Sequence, residues 1–131
     1  MKFRNFIPAI IWFFIILVLL LIPGSDIPKE PFLTGIYFDK WVHITLFAVC
    51  VFLFCLPFIN YLKHYSPIFI LIAVLGWIYG IAMEFVQKYF ASNRSFEIKD
   101  IIADGTGCLV GYLMAYWLAK RKALQNKNKP G

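Results

Sequence analysis

Residues 6–22 read FIPAIIWFFIILVLLLI, seventeen positions without a charge, and this run decides the class of the protein. A helix crosses the hydrocarbon core of a bilayer with about 20 apolar residues. Lys2 and Arg4 precede the run and Pro23-Gly24-Ser25 ends it. The whole chain agrees with that reading. Of its 131 residues 61% are hydrophobic and 15% charged, where soluble domains hold about 45–50% and about 25%. Water-soluble, disordered and disulfide-scaffold classes are thereby excluded, and the length accommodates a single domain.

Three further runs follow. Residues 41–62 are apolar apart from His43, Thr45 and Asn60. Residues 67–87 are apolar until Glu84, and residues 98–119 are polar in two turns and apolar thereafter. None alternates with a period of two over about 10 residues, as a barrel strand does. The sequence therefore predicts an all-α membrane protein, a four-transmembrane-helix bundle with spans at about 6–22, 41–62, 67–87 and 98–119. A basic tail, 120–131, follows. Pro8 and Pro67 fall in first turns, where the missing N–H costs nothing, whereas Pro57 lies inside its span and kinks it. The first run is longer than the 7–15 residues of a signal-peptide core and lacks a small-residue cleavage site, so it is read as a retained span.

Charge sets the expected orientation. Lys2, Arg4, Lys63 and five basic residues of the tail lie on one side of this topology, against five on the other. The positive-inside rule then puts both termini in the cytoplasm. All seven acids, Asp26, Glu30, Asp39, Glu84, Glu97, Asp100 and Asp104, fall on or near the opposite, outer side. The net charge of +6 thus reflects topology and anionic inner-leaflet lipid; no nucleic-acid partner is expected. Cys50, Cys55 and Cys108 lie within spans, show no CxxC spacing, and read as small apolar fillers.

The polar ends of the spans carry the functional signal, because ionisable groups inside a membrane are costly and face a bundle interior or cavity. Asp39 and His43 are four apart at the start of the second span. Glu84 and Gln87 are three apart at the end of the third, and Asp100 and Asp104 are four apart at the start of the fourth. At 1.5 Å per residue, His43, Glu84 and Asp104 all sit about one turn below the outer interface. Small residues continue these faces: Ala73, Gly76 and Gly80 below Glu84, and Ala103, Gly107, Gly111 and Ala115 alongside Asp104. Such stripes let membrane helices approach closely. The expectation is that the third-span and fourth-span stripes face each other and bring Glu84 and Gln87 to Asp100 and Asp104. Lys40, Lys88, Arg94 and Lys99 are the nearby cations, with Arg94 the natural fork for a carboxylate or a phosphate.

Three readings of this cluster are open. It is a polar network that pins helix ends, or a site for an anionic or sugar-bearing envelope lipid. Alternatively it is catalytic, with Glu84 or Asp104 as acid or base and His43 as partner. With one histidine in the cluster and neither His-x-x-x-His nor His-Glu-x-x-His, no metal site and no cofactor is expected. No Walker, Gly-x-Ser-x-Gly or dinucleotide pattern occurs. The nearly dry cytoplasmic halves of the spans also speak against a pore.

The order of these residues resembles the VanZ-like family. The family pattern places Asp-Lys-x-x-His at the start of one span, Glu-x-x-Gln at the end of the next, an Arg in the loop, and Asp-x-x-Ala-Asn followed by Gly-x-x-x-Gly in the last. Here these stand as Asp39-Lys40-Trp41-Val42-His43, Glu84-Phe85-Val86-Gln87, Arg94, and Asp100-Ile101-Ile102-Ala103-Asp104 with Gly107 and Gly111. Asp104 departs from the pattern, adding a carboxylate where the family often has an amide. The resemblance implies a bacterial cytoplasmic-membrane protein in a cell-envelope setting, linked to resistance to the glycopeptide teicoplanin. It also supports Asp39, His43, Glu84, Gln87, Arg94 and Asp100 as a site at the outer face, to which the spacing and charge of the span ends add Lys40 and Asp104. The expected partners are membrane lipid and a lipid-linked envelope glycan; the alternative is a non-catalytic accessory protein whose polar ends serve packing.

Overall fold

The computed structural model describes residues 3–23, 37–60, 67–92 and 94–127. The first loop with Asp26 and Glu30, the second with Lys63 and His64, and the end of the tail with Lys129 lie outside them, as does Lys2. Helix accounts for 89% of the described residues, and no strand occurs among them, which settles the choice against a barrel. Four helices follow in order, each long and apolar enough to span a membrane once its flanking turns are counted. They are α1 (Ile7–Leu20, entered through a 3-10 turn at Phe3–Phe6), α2 (Phe38–Cys55), α3 (Pro67–Phe90) and α4 (Ile98–Lys127).

The boundaries follow local chemistry. Pro8 sits in the first turn of α1 and Pro67 opens α3, as expected where an N–H has no intrahelical acceptor. Pro57 does more than kink its helix. The α-helical part of the second span ends at Cys55, and Leu56–Phe58 tighten into a 3-10 turn around the proline. A proline ring clashes with the carbonyl four residues back and withdraws a donor. At the other extreme, α4 continues to Lys127, past the expected span end at 119. Ala123, Leu124 and Gln125 are good helix formers. Lys122 Nζ also donates to Asn60 Oδ1 at 3.1 Å, and the Arg121 guanidinium lies 4.6 Å from the Trp117 ring centre.

The stripe of small residues on α4 does not face α3 as the sequence suggested. A Cβ on Gly107 would strike the Ile44 carbonyl of α2, and one on Gly111 the Ala48 carbonyl. The two missing side chains let the backbones of α2 and α4 touch, and this is the most extensive helix pair of the bundle. The third helix uses its glycines differently. Gly76 makes room for Val51 and Cys108, and Gly80 for the Asp104 carboxylate, while Gly105 of α4 accommodates the Trp77 indole. Helix pairs in lipid gain little from apolar burial and much from close van der Waals approach, so the pair with two glycines against backbone packs tightest.

Phe47, Val51, Phe69, Met83 and Ile16 fill the centre, together with the three cysteines, all buried and unbridged. Outward-facing Leu71, Val74, Ile78, Leu109 and Leu113 are exposed, as lipid-facing positions require. The first helix is attached by polar contacts at several heights. Trp12 Nε1 donates to the Leu46 carbonyl at 2.9 Å, Tyr79 Oη to the Phe13 carbonyl at 3.1 Å, and the Phe13 and Tyr79 rings stack at 4.2 Å. The chain ends of α1 and α3 and the starts of α2 and α4 thus gather at one end of the bundle, where the polar residues lie.

Candidate functional site

Two neighbouring groups make up the polar end. The upper one centres on Lys40, in the first turn of α2. Its ammonium donates to Asp39 Oδ2 at 2.8 Å, to Glu97 Oε2 at 2.7 Å and to Asp100 Oδ1. Three carboxylates from two segments therefore close on one cation whose three donors are all used. Asp39 and Glu97 are about half exposed, and Asp100 is buried. The arrangement ties the start of α2 to the start of α4 and leaves Lys40 no donor for a ligand.

One turn deeper the chemistry changes. His43, Glu84 and Asp104 are all buried, the two acids with 0% exposure. Each comes from a different helix, and one ligand atom of each lies within 4.8 Å of the others. His43 Nδ1 meets Asp104 Oδ1 at 2.8 Å, and His43 Nε2 stands 4.0 Å from Asp100 Oδ2. Glu84 Oε2 accepts the Glu97 backbone N–H at 2.9 Å. Among the described residues, however, Glu84 Oε1 and Asp104 Oδ2 have no hydrogen-bond partner. Buried polar groups in folded proteins are almost always satisfied, and each exception calls for a reason. Five carboxylates surround one lysine and one histidine in the two groups together, so the end of the bundle is acceptor-rich and negatively charged. A buried imidazole oriented by a carboxylate, beside a second carboxylate, has the parts for general acid–base chemistry and equally for holding a cation or hydroxyl groups.

The remaining sequence-predicted residues take other partners. Gln87 is buried and donates to the Leu20 carbonyl at 2.8 Å. Arg94, half-buried, directs Nε to the Ile22 carbonyl at 3.4 Å and meets no carboxylate among the described residues. Both therefore seal the end of α1 rather than join the acids. Leu20 offers its carbonyl because the last turn of a helix lacks intrahelical donors, and Ile22 offers its own because it lies just past the helix end. The first helix was not expected at the site. Neither was Glu97, which supplies a backbone donor to Glu84 and a carboxylate to Lys40. The sequence signal for Glu97 was its place just before the first turn of α4, where an acid complements the helix dipole.

No curated protein and no solved structure matches the chain. A family model described as VanZ/LLP1 matches it over residues 3–119, from the turn before α1 to the end of the apolar stretch of α4, short of its basic last turns. That span takes in all four helices and every residue of both polar groups, and the chain belongs to the VanZ/LLP1 family.

Proposed function

We propose that this protein engages the headgroup of an envelope lipid, in particular a lipid-linked glycan, at the extracytoplasmic face of the bacterial cytoplasmic membrane. The observation that carries the reading is the pair of buried carboxylate oxygens on Glu84 and Asp104, beside His43, that have no partner among the described residues. An acceptor-rich cluster suits a donor-bearing ligand, and sugar hydroxyls are such donors. It repels a bare phosphate, for which the positive charge lies at the rim. Arg94 uses one of its five N–H groups on Ile22, and exposed Lys88 and Lys99 rest over the Tyr89 and Tyr37 rings. A sugar toward the acids and a phosphate toward Arg94 is the orientation that this charge distribution favours. The outer location is supported by the basic residues of α4, Lys120, Arg121, Lys122 and Lys127, at the opposite end.

One observation favours the second reading, a non-catalytic accessory whose polar ends serve packing. The Lys40 group is fully committed to joining α2 and α4. We assign that role to Asp39, Lys40, Glu97 and Asp100, and ligand contact to His43, Glu84, Asp104 and Arg94. The test is to make Glu84→Gln, His43→Ala and Arg94→Ala and measure membrane abundance together with teicoplanin sensitivity. Normal abundance with an altered phenotype is the expected result. Loss of abundance in all three variants overturns the site in favour of packing.

A further inference from the structure

The cluster read above as the ligand site holds two oxygens that no group among the described residues satisfies, and their surroundings decide what could. Lys40 cannot serve, because Asp39, Glu97 and Asp100 take its three donors. Asp39, Glu97 and Asp100 form a group of carboxylates in their own right, but the ammonium already occupies their centre. Among the described residues the deeper group contains no cation except an imidazole. Two buried carboxylates in a low-dielectric interior require compensation, and a doubly charged ion with Glu84, Asp104 and a neutral His43 sums to zero.

We propose that His43, Glu84 and Asp104 form a binding site for a divalent transition-metal ion of the zinc type. One nitrogen and two carboxylates is a donor set that zinc accepts, with three protein ligands and an open position for water or substrate. It is poor for magnesium or calcium, which take oxygen ligands. Metal–ligand bonds of about 2.0 Å put neighbouring tetrahedral donors about 3.3 Å apart. His43 Nδ1 and Asp104 Oδ1 at 2.8 Å are already near that spacing, and the full set lies within 4.8 Å. From that limit a side-chain shift of at most about 1.5 Å brings a Glu84 carboxylate oxygen to tetrahedral spacing. The outer partners are in place. The Glu97 N–H holds Glu84 Oε2 and so leaves Oε1 as the ligand atom. Asp100 Oδ2 stands 4.0 Å from His43 Nε2, on the side from which a carboxylate orients a ligating imidazole. Asp104 Oδ2 lies over Gly80, where a Cβ would come within 2.6 Å of it. Gly80 is one helical turn from Glu84, so the oxygen is aimed at the helix that carries the other acid.

The site builds on the cluster of the proposed function, yet its test reads neither lipid nor phenotype. Full-length protein purified in detergent, stripped with a chelator and returned to metal-free buffer, is titrated with Zn²⁺ by calorimetry. Metal content is measured on the protein as isolated and again after reloading. The expected result is about one Zn²⁺ per chain, with Ca²⁺ and Mg²⁺ binding at least a hundredfold more weakly, and a higher melting temperature on loading. Asp104→Asn retains an oxygen to accept from His43 and so preserves the fold; with Glu84→Gln it is expected to weaken Zn²⁺ at least tenfold while melting like the stripped parent. Asn60→Ala, at the opposite end, keeps the parent affinity. Substoichiometric uptake, equal uptake by Asp104→Asn, or Ca²⁺ binding as well as Zn²⁺ each overturns the metal site. If zinc is absent while the Glu84→Gln phenotype persists, the metal fails and the envelope reading stands; zinc bound with no phenotype in that variant does the reverse.

Discussion

Replacing Gly107 with alanine puts a methyl group against the Ile44 carbonyl of α2. Helix propensity alone favours alanine over glycine by about 0.8–1.0 kcal/mol, so on an unconstrained helix the change stabilises. Here the obstacle is backbone, which has no rotamer to escape into. Real Cβ contacts shorter than 3.0 Å essentially do not occur, and α2 and α4 must part by roughly an ångström to accommodate one. Overpacking costs about 1–3 kcal/mol, and against backbone that cannot rotate away the upper part of that range applies, about 2–3 kcal/mol, leaving a net destabilisation of about 1–2 kcal/mol after the propensity gain. Gly111→Ala meets the Ala48 carbonyl in the same crossing, so the two changes force the same separation and the double variant loses less than the sum. Gly105→Ala is the contrasting case: its Cβ meets the indole of Trp77, an exposed side chain that can move aside at the expense of one hydrogen bond, to the Ile101 carbonyl, so it is expected to lose less than Gly107→Ala. Unfolding of the purified protein by titration from mild detergent into dodecyl sulfate reads all four variants. A Gly107→Ala protein as stable as the parent, or more so, refutes the backbone contact between α2 and α4.

Two further outcomes follow from the same geometry. Lys40→Met strands the buried Asp100 carboxylate and is expected to cost about 3–5 kcal/mol, whereas Asp39→Asn, which removes a half-exposed partner, is expected to cost under about 1 kcal/mol; equal losses in the same denaturation assay would show that the network does not pin the helices. For orientation, a cysteine at Ser92 is expected to react with an impermeant thiol reagent in intact cells and one at Lys127 only after permeabilisation, the three native cysteines being buried and unreactive; the opposite pattern reverses the topology.

The four spans were legible because a charge-free helical run has few alternatives in a chain this apolar. The polar residues were legible in depth, since spacing along a helix fixes how far His43, Glu84 and Asp104 lie from its end. What spacing did not supply was the partner of each face. Ala103, Gly107 and Gly111 read as a stripe that will touch something, but α2 and α3 are both apolar and only the three-dimensional fit selects Ile44 and Ala48. The destination of Arg94 was hidden for a related reason. Its acceptor is the main-chain carbonyl of Ile22, which leaves no trace in residue identity. The same holds for Gln87 and Leu20, and so the closure of the site by α1 was invisible. Glu97 was misjudged because half of its contribution comes from its backbone N–H.

The length of α4 has a mechanical consequence. Its 30 residues form a rod about 45 Å long, against a hydrocarbon core of about 30 Å. The crossing at Gly107 and Gly111 is a fulcrum set off-centre on that rod. Asp100 lies about 13 Å from its midpoint and Lys127 about 27 Å on the other side. Any tilt of α4 about this point swings the basic tip through about twice the arc of the acidic end, and in the opposite direction. The two membrane surfaces are thereby geared to each other through a single unbroken helix.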